Sequence, residues 1–253
     1  MRFVHLQIHS SYTMMESTIE LEALVKEANQ AGMTSLALTD HEVLFGAYRF
    51  YQLCQEYGIK PVIGMTADVY VASENRPLRF ILLAKNKAGY EELVSLSNQV
   101  MGKNQPIRLE DLARCSNVFF ILSVYNTFLE ELAFLQEYDT IQKLIQTADQ
   151  QLNHMYMNVQ PFVQHERLNQ WIYDVSSQLG DRMVATVDVR YLKERDQVGY
   201  EALLAMKRQA SLSSIKQKKS GAHHFIQADQ LPEPFVEQFP EAIHRTTELA
   251  DAC

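Results

Sequence analysis

The sequence predicts an α/β protein whose sheet closes into a barrel, and three observations carry that expectation. Short apolar runs alternate with amphipathic stretches, the runs are almost continuously apolar, and no phosphate-binding glycine motif follows any of them. Apolar strands separated by helices imply a parallel sheet covered on both faces. Without G-x-G-x-x-G or G-x-x-x-x-G-K-[ST] after a strand, the nucleotide-binding open sheets lose ground to a barrel.

The first run, FVHLQI at 3–8, reads as a strand. Side chains two apart on a strand share a face, so His5, Gln7 and His9 are expected to point the same way. TIELEALVKEANQAG follows as a helix, with Thr18 as its cap, Gly32 as its terminator and Leu21, Leu24, Val25 and Ala28 as its core stripe. The later strands are SLALT, KPVIG, DVYVA, RFILLA, NVFFIL, MYMNV and MVATV. From Gln209 the character changes. The stretch KRQASLSSIKQKKSGAHH holds five Lys or Arg, two His and no acid, and reads as a flexible loop in which His223 and His224 are solvated. Two short helices punctuated by Pro232, Pro234 and Pro240 then end the chain. The expected organisation is a barrel domain over 1–208 and a basic loop with a helical connection over 209–253.

At 253 residues the chain fits one large domain, and 47% hydrophobic with 21% charged residues is ordinary globular composition. A formal net charge of -8 repels a phosphate backbone, so any nucleic-acid contact must be local. Lys207, Arg208, Lys216, Lys218 and Lys219 are the candidates for it, against a solvated basic surface. Cys54, Cys115 and Cys253 form no C-x-x-C pair and suit a reducing cytosol. No run approaches the ~18 apolar residues of a membrane span; a cytoplasmic protein with no membrane partner is expected.

In a barrel the chemistry sits at the C-terminal ends of the strands. There the sequence places His9 and Glu16 after the first run, Asp40 and His41 after SLALT, Thr66 and Asp68 after KPVIG, and Asp188 and Arg190 after MVATV. Imidazole and carboxylate are ligands for zinc or manganese, whereas an amide donates poorly and a guanidinium has no lone pair to give. For His5 a hydrogen-bonded core histidine is the competing reading, and for Asp40 the capping of the following loop.

These stretches together resemble the PHP domain of bacterial DNA polymerase III alpha subunits of the DnaE type. FVHLQIHSSYTMMES resembles that family's F-V-H-L-H-x-H-S-x-Y-S-L-L-D-G opening, and LALTDHEVLFGAYRFYQLCQEYGIKPVIG resembles its A-I-T-D-H-x-x-x-x-G-A-x-x-F-Y and G-I-K-P-I-I-G segments. LLAKNKAGYEELVSLS, VATVDVRYLKERD and FPEAIHRTTELADAC follow suit. The resemblance implies a distorted seven-stranded (β/α) barrel with a small C-terminal helical appendage, and strand ends that in intact members hold up to three metal ions. It also implies a longer parent chain, a DNA-directed DNA polymerase, of which this is a part, with the polymerase core and other replisome subunits as partners and DNA reached through the parent.

The intact pattern carries His where Gln7 stands, Asp at Glu16, Glu at Thr66, His at Arg79, Cys at Tyr125 and His at Arg190, while His9, His41 and Asp188 match it. Met14 and Met15 stand where the family has Leu and are expected to pack. With two ligand positions turned to Arg, the expectation is a metal-free pocket held by Arg–carboxylate pairs, with no catalytic residue and no cofactor. The alternatives are zinc or manganese held by His9, Glu16, His41 and Asp188 in an active phosphoesterase or 3′–5′ exonuclease, and a free-standing histidinol-phosphatase-like enzyme.

Overall fold

Seven of the apolar runs become six strands, because KPVIG and DVYVA fuse. A computed structural model describes residues 2–253 apart from 73, 153, 163, 164 and 218–222, with the backbone alone at 216 and 217. In chain order the elements are α1 (Leu21–Gln30), β1 (Ser35–Leu38), α2 (Ala47–Tyr57), β2 (Lys60–Tyr70), β3 (Leu78–Ala84), α3 (Lys87–Met101), β4 (Ile107–Arg108) and α4 (Leu109–Leu112). There follow β5 (Val118–Ser123), α5 (Phe128–Phe134), α6 (Tyr138–Leu152), β6 (Met155–Val159), α7 (Glu166–Gln178), β7 (Met183–Ala185), α8 (Gln197–Lys207), α9 (Leu212–Gln217), α10 (Glu233–Gln238) and α11 (Pro240–Asp251).

The sheet runs β1-β2-β3-β5-β6-β7, with β4 paired to β2. It is mixed, which corrects the expectation of a parallel sheet: β3 is antiparallel to both β2 and β5. The physical reason is the short link over 71–77, too short for the dozen or more residues of a parallel crossover. Both faces of these strands are still apolar, because one lines the barrel and the other meets helices.

The segment FVHLQI is not a regular strand; only Ile8 makes a β-bridge, to Val189. It nonetheless closes the sheet. On one side Ala37 N donates to His5 O and Thr39 N to Ile8 O; on the other His9 N donates to Val189 O and Val189 N to Gln7 O. Extended backbone with partners on both edges is what keeps its buried amides satisfied.

Alternate residues of the strands divide the interior. A smaller core cluster gathers Val4, Leu6, Ala37, Val62, Ile81, Leu83, Ile121 and Val184 with Leu249 and Ala250 of α11, so the last helix seals the lower end. Further along the same parity of each strand stand Thr66, Asp68, Arg79, Ser123, Asn158, Thr186 and Asp188. Asn158 ties three of these strands together, donating to Thr186 Oγ1 at 3.0 Å and Ser123 Oγ at 3.4 Å while accepting from Val124 N at 3.0 Å.

Local signals hold in part. Gly32, at φ +67°, ends α1, where a side chain would be strained. Thr18 does not cap that helix: the N-cap is Glu20, and Thr18 N donates instead to Arg190 O at 3.0 Å. Leu21, Leu24, Val25 and Ala28 are buried as expected. Met14 is 78% exposed and does not pack as its Leu-like position suggested.

Gly64, in the centre of β2, has no room for a side chain. A Cβ there would collide with Leu82 O and stand 2.8 Å from Leu83 Cδ2 and 3.0 Å from Thr39 Cγ2. Gly64→Ala is expected to lower stability by about 1–3 kcal/mol, seen as a lower urea midpoint at unchanged slope.

Candidate functional site at the barrel mouth

Three of the residues predicted at the strand ends, His9, Glu16 and Asp188, converge on a fourth, Arg190. Its Nη1 donates to Glu16 Oε2 at 2.7 Å, its Nε to Asp188 Oδ1 at 3.0 Å, and its Nη2 stands 3.3 Å from His9 Nε2. Local backbone holds the set in place: Ser17 Oγ donates to both His9 O at 2.6 Å and Arg190 O at 2.9 Å. Lys207 at the end of α8 also pairs with Glu16. His223 is buried, with Nδ1 2.9 Å from Asp188 O and 3.6 Å from Asp188 Oδ2. That corrects the expectation of a solvated His223; the returning chain lies along residues 190–191, where Arg190 N donates to His223 O at 2.7 Å.

A second cluster lies beside it. Arg79, near the start of the reversed strand β3, donates from Nε to Asp68 Oδ1 at 2.8 Å and from Nη2 to Asp68 Oδ2 at 3.1 Å. His41 Nε2 stands 3.6 Å from Asp68 Oδ2 and 3.9 Å from Glu42 Oε2, and His41 Nδ1 lies 3.3 Å from Thr66 Oγ1. His41, Glu42 and Asp68 place one potential ligand atom each within 4.8 Å of one another. Glu42 was not expected from the sequence. Its backbone sits at φ +58°, held by Glu42 N donating to Thr66 O and by Ser97 Oγ donating to Glu42 O at 2.8 Å, and nothing in the residue pattern signals that turn.

Other expected positions serve elsewhere. Asp40 accepts from Ser10 N at 2.6 Å, Ser10 Oγ at 2.8 Å and Thr13 Oγ1 at 2.8 Å, shaping the loop after His9. The Tyr125 hydroxyl bonds to Asn169 Oδ1, and its ring meets His165 edge-on at 4.6 Å. Gln7 is buried, and its Oε1 has no hydrogen-bond partner among the described residues. His5 is stacked on Phe225 at 4.5 Å, with Nε2 2.8 Å from Ile226 O, as a core histidine would be. It therefore does not join His9 at Asp188.

Glu16, Arg79, Asp188, Arg190, Lys207 and Arg208 all border one cavity of about 540 Å³, whose far wall is α5. Within the basic stretch Lys207 ends α8 and Leu212–Gln217 form the short helix α9, and Lys207 is engaged with Glu16 rather than free. Lys218 and Lys219, like the side chain of Lys216, lie outside the described residues.

Burial and charge set the protonation states. Burial pushes the Asp188 carboxyl up, and Arg190, His9 and His223 outweigh it, holding the group well below the usual carboxylate range. Burial likewise raises Glu16, but Arg190 and Lys207 prevail and bring it down to about 2. Burial lowers His9 to about 4, with Arg190 adding to the effect, and lowers His41 to about 4, with Arg79 adding. Both imidazoles are neutral at pH 7, so His9 can accept from Arg190.

A family model described as the PHP domain matches residues 5–161, more than half of the chain. The chain belongs to the PHP domain family. The matched stretch takes in His9, Glu16, His41 and Arg79 and stops before Asp188 and Arg190. DNA polymerase III subunit alpha of Bacillus subtilis (strain 168) is 31% identical over 260 residues, and that of Halalkalibacterium halodurans is 27% identical over 261. Each match takes in 100% of this chain and 23% of the relative, so this PHP chain spans about a quarter of the length of those relatives. Among solved structures, an amidohydrolase from Chromobacterium violaceum, with bound sulfate and no metal, superposes at a TM-score of 0.54 and 12% identity over 75% of this chain and 88% of that one, a likeness of fold. No helix among the described residues is long and apolar enough to cross a membrane.

His5, His9 and His41 each have a folded pKa of about 4 against an ordinary 6.5. The unfolded chain therefore binds more protons between these values, and stability present above pH 6.5 is lost as pH falls toward 4. Glu16, lowered to about 2 from 4.5, adds a further loss between those values. Thermal melts from pH 7.5 to 4 are expected to show a falling midpoint, and His5→Phe to show a shallower fall over the upper part of that range.

Proposed function

We propose that this PHP domain is a non-catalytic structural module of a DNA polymerase III alpha-type protein, with a mouth held together by arginine in place of metal. The observation that carries this reading is Arg190, whose guanidinium engages Glu16 and Asp188 and lies within 3.3 Å of His9. Those are the donor atoms a divalent ion would need, and arginine stays protonated and offers no lone pair. Arg79 takes both oxygens of Asp68 in the same way. The residues around Arg190 thus do not fit a metal cluster.

In this reading the positive charge that neutralises buried carboxylates is covalently part of the chain and cannot be removed by chelation. The module steadies the polymerase core of the same parent, which carries DNA binding and nucleotidyl transfer, and offers a face to other replisome subunits. The cytoplasm is its expected location, 1–208 its barrel and 209–253 its connection toward the rest of the parent. Support comes from the match to the alpha subunits, which takes in all of this chain and 23% of each of them.

The second reading is a metal-dependent phosphoesterase or 3′–5′ exonuclease, favoured by the His41, Glu42 and Asp68 cluster. Elemental analysis after dialysis and hydrolysis of a chromogenic phosphodiester with Mn²⁺ separate the two. The structural reading expects no stoichiometric zinc or manganese, a melting temperature unmoved by chelator, and a background rate unaltered by His9→Ala. Retained metal with Mn²⁺-dependent turnover abolished in His9→Ala would reverse the assignment.

Arg190→Met leaves the buried Asp188 carboxylate without its cation and the half-buried Glu16 with Lys207 alone. It is expected to cost about 3–5 kcal/mol, the usual penalty for breaking one side of a buried pair. The measurement is the urea unfolding midpoint at pH 7.

A further inference from the structure

We propose that the corner between α5 and α6 is a docking surface for a basic amphipathic segment of another protein, which seats one apolar side chain in a notch beside Phe134. This names the chemistry of one partner for the docking module described above and rests on that reading.

The apolar residues at the corner are surplus to the core. Within α5 the inward stripe is Phe128 and Leu129, both buried, with Leu132 and Ala133 packed against the main core beside them. Phe134 and Leu135 follow off that stripe, and they are 80% and 68% exposed. Singly such a residue would mean little; two in succession beside an apolar notch mark a contact site.

The corner is fixed before any partner arrives. Gln136 turns the chain at φ +62°, while Gln136 N donates to Ala133 O at 3.1 Å and Glu137 N to Leu132 O at 2.9 Å. A backbone held this way has little freedom left to lose on binding. Behind Phe134 opens a notch of about 180 Å³, bordered by Ala133, Tyr138, Arg167 and Leu168. Tyr138 leans on Trp171 of α7, their rings 5.3 Å apart, so the notch has a firm wall. It suits a single apolar anchor, the element that carries most of the energy of a small interface.

Charge selects the partner. Between Asn126 and Gln142 the chain carries Glu130, Glu131, Glu137 and Asp139 and no Lys, Arg or His. Glu131, Glu137 and Asp139 are exposed. From other elements Arg76 takes Glu131 at 2.7 Å and Arg167 borders the notch, two cations against four acids. An apolar centre rimmed by carboxylates matches a segment with Leu-like anchors on one face and Lys or Arg around them. The same rim disfavours other occupants. A second copy would lay one acidic rim on another, and a nucleic-acid backbone or an anionic lipid surface would meet like charge.

Fluorescence anisotropy on the whole chain tests this with three labelled synthetic helical peptides: one with Leu on one face and Lys elsewhere, its counterpart with Glu for Lys, and a Lys peptide with Ser for Leu. The first is expected to bind roughly tenfold or more tighter than either of the others, as apolar anchor and charge acting together require. Phe134→Ser combined with Leu135→Ser is expected to abolish that preference, and Glu137→Gln combined with Asp139→Asn to weaken binding and flatten its salt dependence. All four side chains are exposed, so the urea midpoint of both variants is expected to stay at the wild-type value. Met14→Ser, which alters an exposed apolar residue elsewhere, is the control and is expected to change nothing. No binding of the Leu–Lys peptide, equal binding of its acidic counterpart, or undiminished binding after the Phe134 and Leu135 substitutions would each overturn the proposal. So would a concentration-dependent dimer that those substitutions disperse, which would give the face to a second copy, and so would loss of peptide binding in the longer parent chain, which would give it to a segment in cis. None of these outcomes touches the metal content or chelator response by which the mouth is judged, so the two readings fail separately.

Discussion

The mouth of this barrel is organised by one buried cation. Arg190 lies almost wholly out of water, where an unpaired charge is prohibitive, so two carboxylates must be brought to it. Glu16 comes from the loop after the first extended segment and Asp188 from beyond β7, so neutralising the guanidinium draws together parts of the chain more than 170 residues apart. Burial raises the pKa of arginine's partners and lowers its own, yet their mutual attraction reverses both, and the set stays ionised together. Because the ion is a side chain, its position is fixed by the bonds that Ser17 Oγ and Thr18 N donate to the Arg190 carbonyl rather than by coordination geometry.

Beneath that network, polarity changes in layers along one face of the strands. Leu6, Val62, Leu83 and Val184 pack with α11 at the lower end. Asn158, Ser123 and Thr186 form a hydrogen-bonded girdle at mid-height, and the ionised groups lie above it. Such a gradient lets a charged pocket and a dry core share one barrel: each buried polar atom in the girdle finds a partner among neighbouring strands instead of water. The reversed strand β3 belongs to this logic, since it enters from the mouth and delivers Arg79 near its first residues rather than its last.

Much of this could be read from residues alone. Apolar runs located six of the strands, and polar residues just beyond them found His9, Glu16, His41, Asp188 and Arg190, because a barrel exposes its strand ends at a single rim. Arg79 escaped that rule, since an antiparallel strand presents its beginning there; only likeness to a known family pointed to it. Glu42 depends on a left-handed turn that glutamate rarely adopts, and His223 on a return of the chain along Arg190 that no local pattern encodes. Tyr125 was placed at the pocket by family position, but its hydroxyl had a nearer acceptor in Asn169. Direct reading fails where long-range pairing decides the outcome.

The closure of the sheet by residues 4–9 sets an order of assembly. Val4 N bonds to Thr246 Oγ1, His5 to Ile226 O and His9 N to Val189 O, so the start of the chain is completed by its last quarter. Such contacts give a high contact order, which slows folding because chain entropy is lost before the pairing repays it. At ribosomal rates of about 5–20 residues per second, the opening segment waits on the order of 10 s or more with one edge unpaired. During that interval a short apolar segment stays exposed, and transient exposure of this kind is the aggregation hazard that such a topology carries.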